Sequence, residues 1–217
     1  MKSEIWDKVH CYGMFILSVI YLIRPAIYLF VIFSILSILV LWVTGWKSLQ
    51  DIKPPGGIPN YITLLRFVPL VSLTVFSGQL SNATIAIVLF VLILLDGADG
   101  YFARKLNQQT EFGALFDMET DALFVCLVSC LLISRGLAGN WLLPAAFLRY
   151  YYVVLISITG YDKVTEKRSK FGAAIAVIMF AVLAAGFILP IIPRTIILLF
   201  GILLLFVSFG RSFVGKI

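Results

Sequence analysis

The sequence predicts an all-α integral membrane protein, with six membrane-spanning core helices behind one or two further N-terminal hydrophobic helices. Three observations predict it. First, 61% of the 217 residues are hydrophobic and 13% are charged. A soluble domain is about half apolar and about a quarter charged. Second, apolar runs of the roughly 20 residues that a spanning helix needs follow one another along the chain, and the mean hydropathy is +1.05. Third, these runs are unbroken rather than alternating. Helices satisfy their own backbone hydrogen bonds in lipid, so they fit this pattern, and a β-barrel does not.

The elements follow in chain order. Residues 1–12 are polar and mixed in charge. An apolar stretch runs from Met14 to Trp46, interrupted at Arg24-Pro25. Its second part, Ala26 to Trp46, is long enough to span. Its first part, Met14 to Ile23, is short, and suits half of a hairpin or an interfacial helix. No small-residue cleavage site follows it before the next run, so no cleavable signal peptide is expected. The polar, Pro/Gly-rich stretch 47–57 then separates an N-terminal extension, residues 1–57, from a core of residues 58–217. Six core spans are expected at about 60–78, 82–103, 112–135, 139–160, 171–190 and 193–212. The breaks between them carry turn residues: Ser77-Gly78, Arg135-Gly136, Gly139-Asn140, Gly160-Tyr161 and Pro190 to Pro193.

Charge sets the orientation and excludes several functions. The net charge of +6 comes from scattered cations rather than a basic polar domain, which argues against nucleic-acid binding. With the start of the first core span inside, Lys47, Lys53, Arg104, Lys105, Lys163, Lys167, Arg168, Lys170, Arg211 and Lys216 all face the cytoplasm, and only Arg135 and Arg194 face out. Cys126 and Cys130 lie one turn apart in an apolar run and read as packing residues. No disulfide framework or zinc spacing is present. The single histidine, His10, leaves little for a His-based triad.

One stretch breaks the apolar pattern. "LLDGADGYFARKLNQQTEFGALFDMETDAL", Leu94 to Leu123, holds Asp96, Asp99, Glu111, Asp117, Glu119 and Asp121, six of the chain's 11 acids. Asp96 and Asp99 are three apart and share a helix face, which Gly100 and Ala103 extend. Asp117 and Asp121 are four apart and share another, with Gly113 one turn earlier. Two neighbouring helices would thus aim four carboxylates at one volume. The small residues would let backbones or a ligand come close. Bare carboxylates in such a place repel and are costly to bury. A divalent cation with hard oxygen ligands, Mg²⁺, Mn²⁺ or Ca²⁺, is the plain remedy, and such a cation holds phosphates as well. Arg104 beside the cluster suits a diphosphate. Ion pairing with Arg104, Lys105 or Arg149 would supply too few cations at helical spacing to neutralise the set. Glu111, in the polar loop "KLNQQTE", reads as solvated.

These residues carry a resemblance. Asp96-x2-Asp99-Gly100-x2-Ala103-Arg104-x8-Gly113-x3-Asp117-x3-Asp121 resembles the CDP-alcohol phosphotransferase (CDP-alcohol phosphatidyltransferase) signature at every fixed position. The likeness covers roughly residues 58–213, and Asn60 and Thr63 at the start of the first core span also look like that family. The resemblance implies transfer of a phosphatidyl group from a CDP-linked lipid, CDP-diacylglycerol, to a small hydroxyl acceptor such as serine, a polyol or a polyol phosphate, with release of CMP. It implies two ions, Mg²⁺ or Mn²⁺, organised by Asp96, Asp99, Asp117 and Asp121. It implies Asp121 as general base, and a CDP cradle of Gly100, Ala103, Arg104 and Gly113, with Asn60 and Thr63. It implies a homodimer and a site open to the cytoplasm.

A phosphorylated acceptor would need cations near the metals, and Arg149 and Lys170 are candidates. Arg149 lies mid-helix and needs a partner, either a ligand anion or one of the acids. Glu119 is two residues from both Asp117 and Asp121 and points off their face, toward a cation on another span or an amine-bearing acceptor. Phosphatidylglycerophosphate synthases usually carry Pro and Lys where this chain has Met118 and Ala122, which counts against that subfamily. Tyr150 to Tyr152 read as helix packing. Three rival readings remain: a CDP-choline or CDP-ethanolamine phosphotransferase acting on diacylglycerol, an intramembrane prenyltransferase, and a divalent-cation transporter. The absence of a second acidic copy disfavours the transporter.

Overall fold

The structure, a computed structural model, describes residues 3–159 and 170–214, apart from the side chains at positions 3, 48, 99, 170, 213 and 214. Eight α-helices form among the described residues: α1 Ser3–Ile23, α2 Ile27–Leu49, α3 Ile58–Val75, α4 Asn82–Lys105, α5 Glu111–Ser134, α6 Leu143–Thr159, α7 Lys170–Ala185 and α8 Ile191–Val214. The protein is thus an all-α, multi-pass membrane protein. Five segments are long and apolar enough to cross a bilayer: Ile27–Lys47, Ile58–Val75, Asn82–Lys105, Asn140–Thr159 and Ile191–Ser212. The apolar part of α7, Phe171–Ala185, is shorter.

The N-terminal extension forms two helices, and the first differs from the short segment expected at Met14–Ile23. It begins at Ser3 and takes in the polar residues. The reason is periodicity. Trp6, His10, Cys11, Met14, Ser18 and Tyr21 are all buried, which is one face of a 3.6-residue helix carried straight through the polar stretch. That face docks on α2 and along α6. Trp6 Nε1 donates to the Ser37 carbonyl at 2.9 Å, and Ser18 Oγ donates to the Tyr151 hydroxyl at 3.0 Å. A Cβ on Gly13 would lie 2.1 Å from the Phe33 ring, so only glycine permits this approach of α1 to α2.

The core helices begin where the sequence supplies caps. Ser81 Oγ accepts from the Thr84 N–H at 3.1 Å and starts α4. Thr110 Oγ1 accepts from the Gly113 N–H at 2.9 Å and starts α5. Two helices end earlier than their apolar runs. A short 3₁₀ turn at Ser77–Gln79 follows α3, and α7 stops at Ala185, just before Gly186. The two cations expected on the outer side bind orphaned helix-end groups. Arg135 bonds the Ser77 and Leu80 carbonyls and the Asn82 side chain. Arg194 bonds the Leu189 and Leu137 carbonyls.

Helix α5 lies at the centre. It packs against α1, α2, α3, α6 and α7. From Ala122 to Leu132 nearly every residue is buried, including Cys126 and Cys130 as free thiols. A helix that is apolar on every side belongs in the middle. Helix α3 packs against both α4 and α5, far more than those two pack on each other. A space is left between α4 and α5, and α3 closes one side of it.

Candidate active site

The acids meet in that space. Asp96 on α4 and Asp117 and Asp121 on α5 bring carboxylate oxygens within 4.8 Å of one another. Their side chains keep 13–15% of their exposure. Asp99 stands one turn beyond Asp96 on α4, and its side chain lies outside the described residues. Among the described residues this is the set that sequence spacing assembles, drawn from the two helices expected.

A residue that spacing does not flag sits among them. Arg66 on α3, 3% exposed, reaches all three carboxylates. Its Nη2 lies 2.5 Å from Asp96 Oδ1 and 2.7 Å from Asp121 Oδ1, and its Nη1 lies 3.0 Å from Asp117 Oδ1. The expectation that cations are too few for ion pairing is corrected here. That expectation names Arg104, Lys105 and Arg149 as the pairing cations, and this one is another, from α3. The signal was present nonetheless. Asn60, Thr63 and Arg66 recur every three residues on the buried face of an otherwise apolar helix, and an arginine within a membrane span needs a partner. Among the described residues, three carboxylates thus converge on one guanidinium in a mostly buried place.

The residues expected to form the CDP cradle lie on α3, on α4 and in the first turn of α5. Asn60, 3% exposed, donates from Nδ2 to the Gly56 carbonyl at 2.7 Å. A Cβ on Gly113 would lie 2.7 Å from Asn60 Oδ1, so the glycine lets α3 and the first turn of α5 close up. Thr63 Oγ1 donates to the Pro59 carbonyl at 3.2 Å. On α4, the Arg104 guanidinium lies 3.5 Å from where a Cβ on Gly100 would stand. Arg104 thus folds back over Gly100, on the same exposed end as the half-buried Ala103. Gln108 ties the α4–α5 loop to the preceding connection, accepting from the Ile58 N–H at 3.0 Å and donating to the Lys53 carbonyl at 2.8 Å.

The two acceptor candidates fare differently. Lys170 opens α7, but its side chain, like Lys163, Lys167 and Arg168, lies outside the described residues. Arg149 on α6 is held by acids rather than standing open. Its Nε donates to Glu119 Oε1 at 3.0 Å, and its Nη2 bonds the same oxygen and Asp7 Oδ1, the latter at 2.9 Å. His10 Nε2 lies 3.1 Å from Glu119 Oε2. Glu119 therefore pairs with a cation of another helix, Arg149, the first of its two expected roles. Tyr150 and Tyr152 are buried in packing, as expected.

A hard divalent cation suits the three clustered carboxylates: all are oxygen donors, and they lie close together. Comparison with known proteins agrees with the chemistry of the set. A family model described as CDP-alcohol phosphatidyltransferase matches residues 57–207. The chain belongs to the CDP-alcohol phosphatidyltransferase family.

Among curated relatives, a CDP-diacylglycerol–inositol 3-phosphatidyltransferase of Schizosaccharomyces pombe is 46% identical over 76 residues, 35% of this chain and 30% of the relative. A CDP-diacylglycerol–glycerol-3-phosphate 3-phosphatidyltransferase of Rickettsia typhi is 36% identical over 82 residues, 36% of this chain and 46% of the relative. A CDP-diacylglycerol–inositol 3-phosphatidyltransferase of Candida albicans is 32% identical over 136 residues, 57% of this chain and 56% of the relative. The chain thus spans about a third to a little over half of the length of these relatives. No solved structure matches it. The names of these CDP-alcohol phosphatidyltransferases share a CDP-diacylglycerol donor and differ in acceptor.

Proposed function

We propose that the protein transfers a phosphatidyl group from CDP-diacylglycerol to a small hydroxyl acceptor and releases CMP. The reading is carried by one observation: Asp96 from α4 meets Asp117 and Asp121 from α5 in a single cluster of oxygen donors within 4.8 Å of one another. Asp96, Asp99, Asp117 and Asp121 would hold two ions, Mg²⁺ or Mn²⁺. When bound, the ions neutralise the diphosphate and the departing CMP phosphate. The acceptor oxygen attacks the phosphorus on the diacylglycerol side. The bond from that phosphorus to the bridging oxygen breaks, and CMP carries the electron pair away. Asp121 takes the proton of the incoming hydroxyl.

Gly100, Ala103, Arg104 and Gly113, with Asn60 and Thr63, form the side of the space that takes the CDP group. Gly100 has room for an approaching group, and Arg104 stands over it with a fork of donors suited to phosphate. Gly113 and Asn60 act by setting the separation of α3 and α5. The site opens to the cytoplasm, where a soluble acceptor arrives while the lipid tails stay in the bilayer. The working unit is a homodimer, as the family resemblance implies. Residues 58–217 carry the reaction, and family membership favours a CDP-alcohol donor over a prenyl diphosphate.

The test is CMP release by purified protein with CDP-diacylglycerol and Mg²⁺ or Mn²⁺. Serine, glycerol 3-phosphate, inositol, inositol phosphate and choline are added one at a time. Acceptor-dependent CMP release should fall roughly 10²–10⁴-fold in Asp121→Asn. No CMP with any acceptor, from folded and metal-loaded protein, overturns the donor assignment. CDP-choline with diacylglycerol is then the donor pair to supply.

A further inference from the structure

Glu119 lies between Asp117 and Asp121 on α5. At about 100° per residue it is turned roughly 180° from the mean direction of those two aspartates. The Arg149, Asp7 and His10 contacts therefore sit on the back of the helix that carries the site. Glu119 is 1% exposed and His10 2%. His10 Nε2 faces Glu119 Oε2, a buried oxygen that can only accept and that no hydrogen bond satisfies among the described residues. His10 Nδ1 is 2.8 Å from Ser37 Oγ on α2, and the ring is stacked between Trp6 and Phe33 at 4.9 and 5.4 Å. Cys11 Sγ donates to Asp7 Oδ1 at 3.7 Å. Helices α1, α2, α5 and α6 are thus joined by one buried ionic network directly behind the acids.

Such a network is an expensive way to hold helices in a membrane, where apolar contact suffices. What it adds is direction. From Ala122 to Leu132 α5 is buried among apolar residues on nearly every side, and that surface marks no particular rotation. A carboxylate roughly 6 Å from the helix axis moves about 1 Å when the helix turns by about 10°, and misplacement on that scale costs a site dearly.

We propose that Asp7 and His10 are positioning residues. Acting through Arg149 and Glu119, they fix the rotation of α5 and so the placing of Asp117 and Asp121 opposite Asp96. The inference rests on the reading that these three aspartates bind divalent metal. It makes the N-terminal hairpin part of the working unit, although Asp7 and His10 lie outside the residues that the family model matches.

The experiment is Mn²⁺ titration of the full chain in detergent, followed by electron paramagnetic resonance without substrate, with thermal unfolding in parallel. His10→Leu removes the polar ring that faces Glu119 Oε2, and His10→Gln keeps a polar N–H group on that side. Asp7→Asn is a milder change at a side chain 22% exposed, and carries the test should His10→Leu not fold. His10→Leu and Asp7→Asn should each weaken Mn²⁺ binding about tenfold, the range found when groups supporting a metal site are lost. His10→Gln should restore most of it, and the KM for metal should rise in step. Variants that lose thermal stability but bind Mn²⁺ as well as wild type overturn the inference. Wild-type protein that binds no Mn²⁺ overturns the metal reading and this inference together. Wild type that binds Mn²⁺ about tenfold more tightly than His10→Leu, yet releases no CMP, supports the positioning role and overturns the proposed reaction alone.

Discussion

Arg66 does two jobs that pull in opposite directions. Its guanidinium joins three carboxylates from two helices, and it is a cation standing where a divalent ion would bind. Removing one partner from a buried ion group leaves the others uncompensated, at a cost of roughly 3–5 kcal/mol. Arg66→Gln should therefore unfold at a clearly lower temperature than wild type in chelator. The same change takes a competing cation away from the acids. Added Mg²⁺ or Mn²⁺ should raise the melting temperature of the variant by more than it raises that of wild type, because a ligand stabilises in proportion to its binding to the folded state. Equal metal-induced shifts in the two proteins would show that Arg66 does not share its carboxylates with the metal. At this scale the sequence is readable for the acids, because their spacing is intrahelical. It hides Arg66's partners, because contacts between helices leave no fixed spacing. What the sequence does offer is a polar stripe, Asn60, Thr63 and Arg66, on the face of an apolar helix.

The helices repeat that contrast. Core elements announced by long apolar runs and turn residues lie where the runs lie, with ends moved by caps, by 3₁₀ turns and, in α7, by the turn that begins at Gly186. Helix α1 was legible only in half, since Glu4, Asp7 and Lys8 mask the buried stripe from Trp6 to Tyr21 that makes it one helix. The two motif glycines look alike in sequence and differ in their surroundings. Gly113 faces Asn60 Oδ1 and Thr110 Oγ1, at 2.7 and 3.0 Å from an added Cβ. Asn60 is buried and bonded to Gly56, so it has little room to yield. Overpacking costs about 1–3 kcal/mol, and alanine returns up to about 1 kcal/mol of helix propensity. Gly113→Ala should lose about 1 kcal/mol of stability. A Cβ on Gly100 would meet the end of a flexible arginine. Gly100→Ala should keep or slightly gain stability while its KM for the CDP-lipid rises, if a ligand uses that space. Thermal unfolding set beside steady-state kinetics separates the two. A Gly100→Ala protein with unchanged kinetics removes Gly100 from the proposed CDP cradle.

Across the whole molecule most cations divide by what they bind, with Arg24, exposed in the α1–α2 turn at the Arg135 end, as the exception. Arg135 and Arg194, at one end of the bundle, are consumed by carbonyls at helix ends. At the other end Lys47, Lys53, Arg104, Lys105 and Arg211 are exposed, as expected of residues that face an inner, anionic leaflet. The acids lie toward that second end, which is why the proposed orientation places the site at the cytoplasmic surface. Thiol labelling tests it on a quiet background, because Cys11, Cys126 and Cys130 are all buried. Gly78 is exposed in the α3–α4 turn, with nothing within 4 Å of an added Cβ. Gln109 is exposed in the α4–α5 loop beside the acids. In intact cells a membrane-impermeant maleimide should label Gly78→Cys and spare Gln109→Cys until the membrane is permeabilised. The reverse pattern would put the carboxylates on the outer face. A soluble acceptor would then have to reach them from outside the cell, and the basic residues would be serving packing rather than topology.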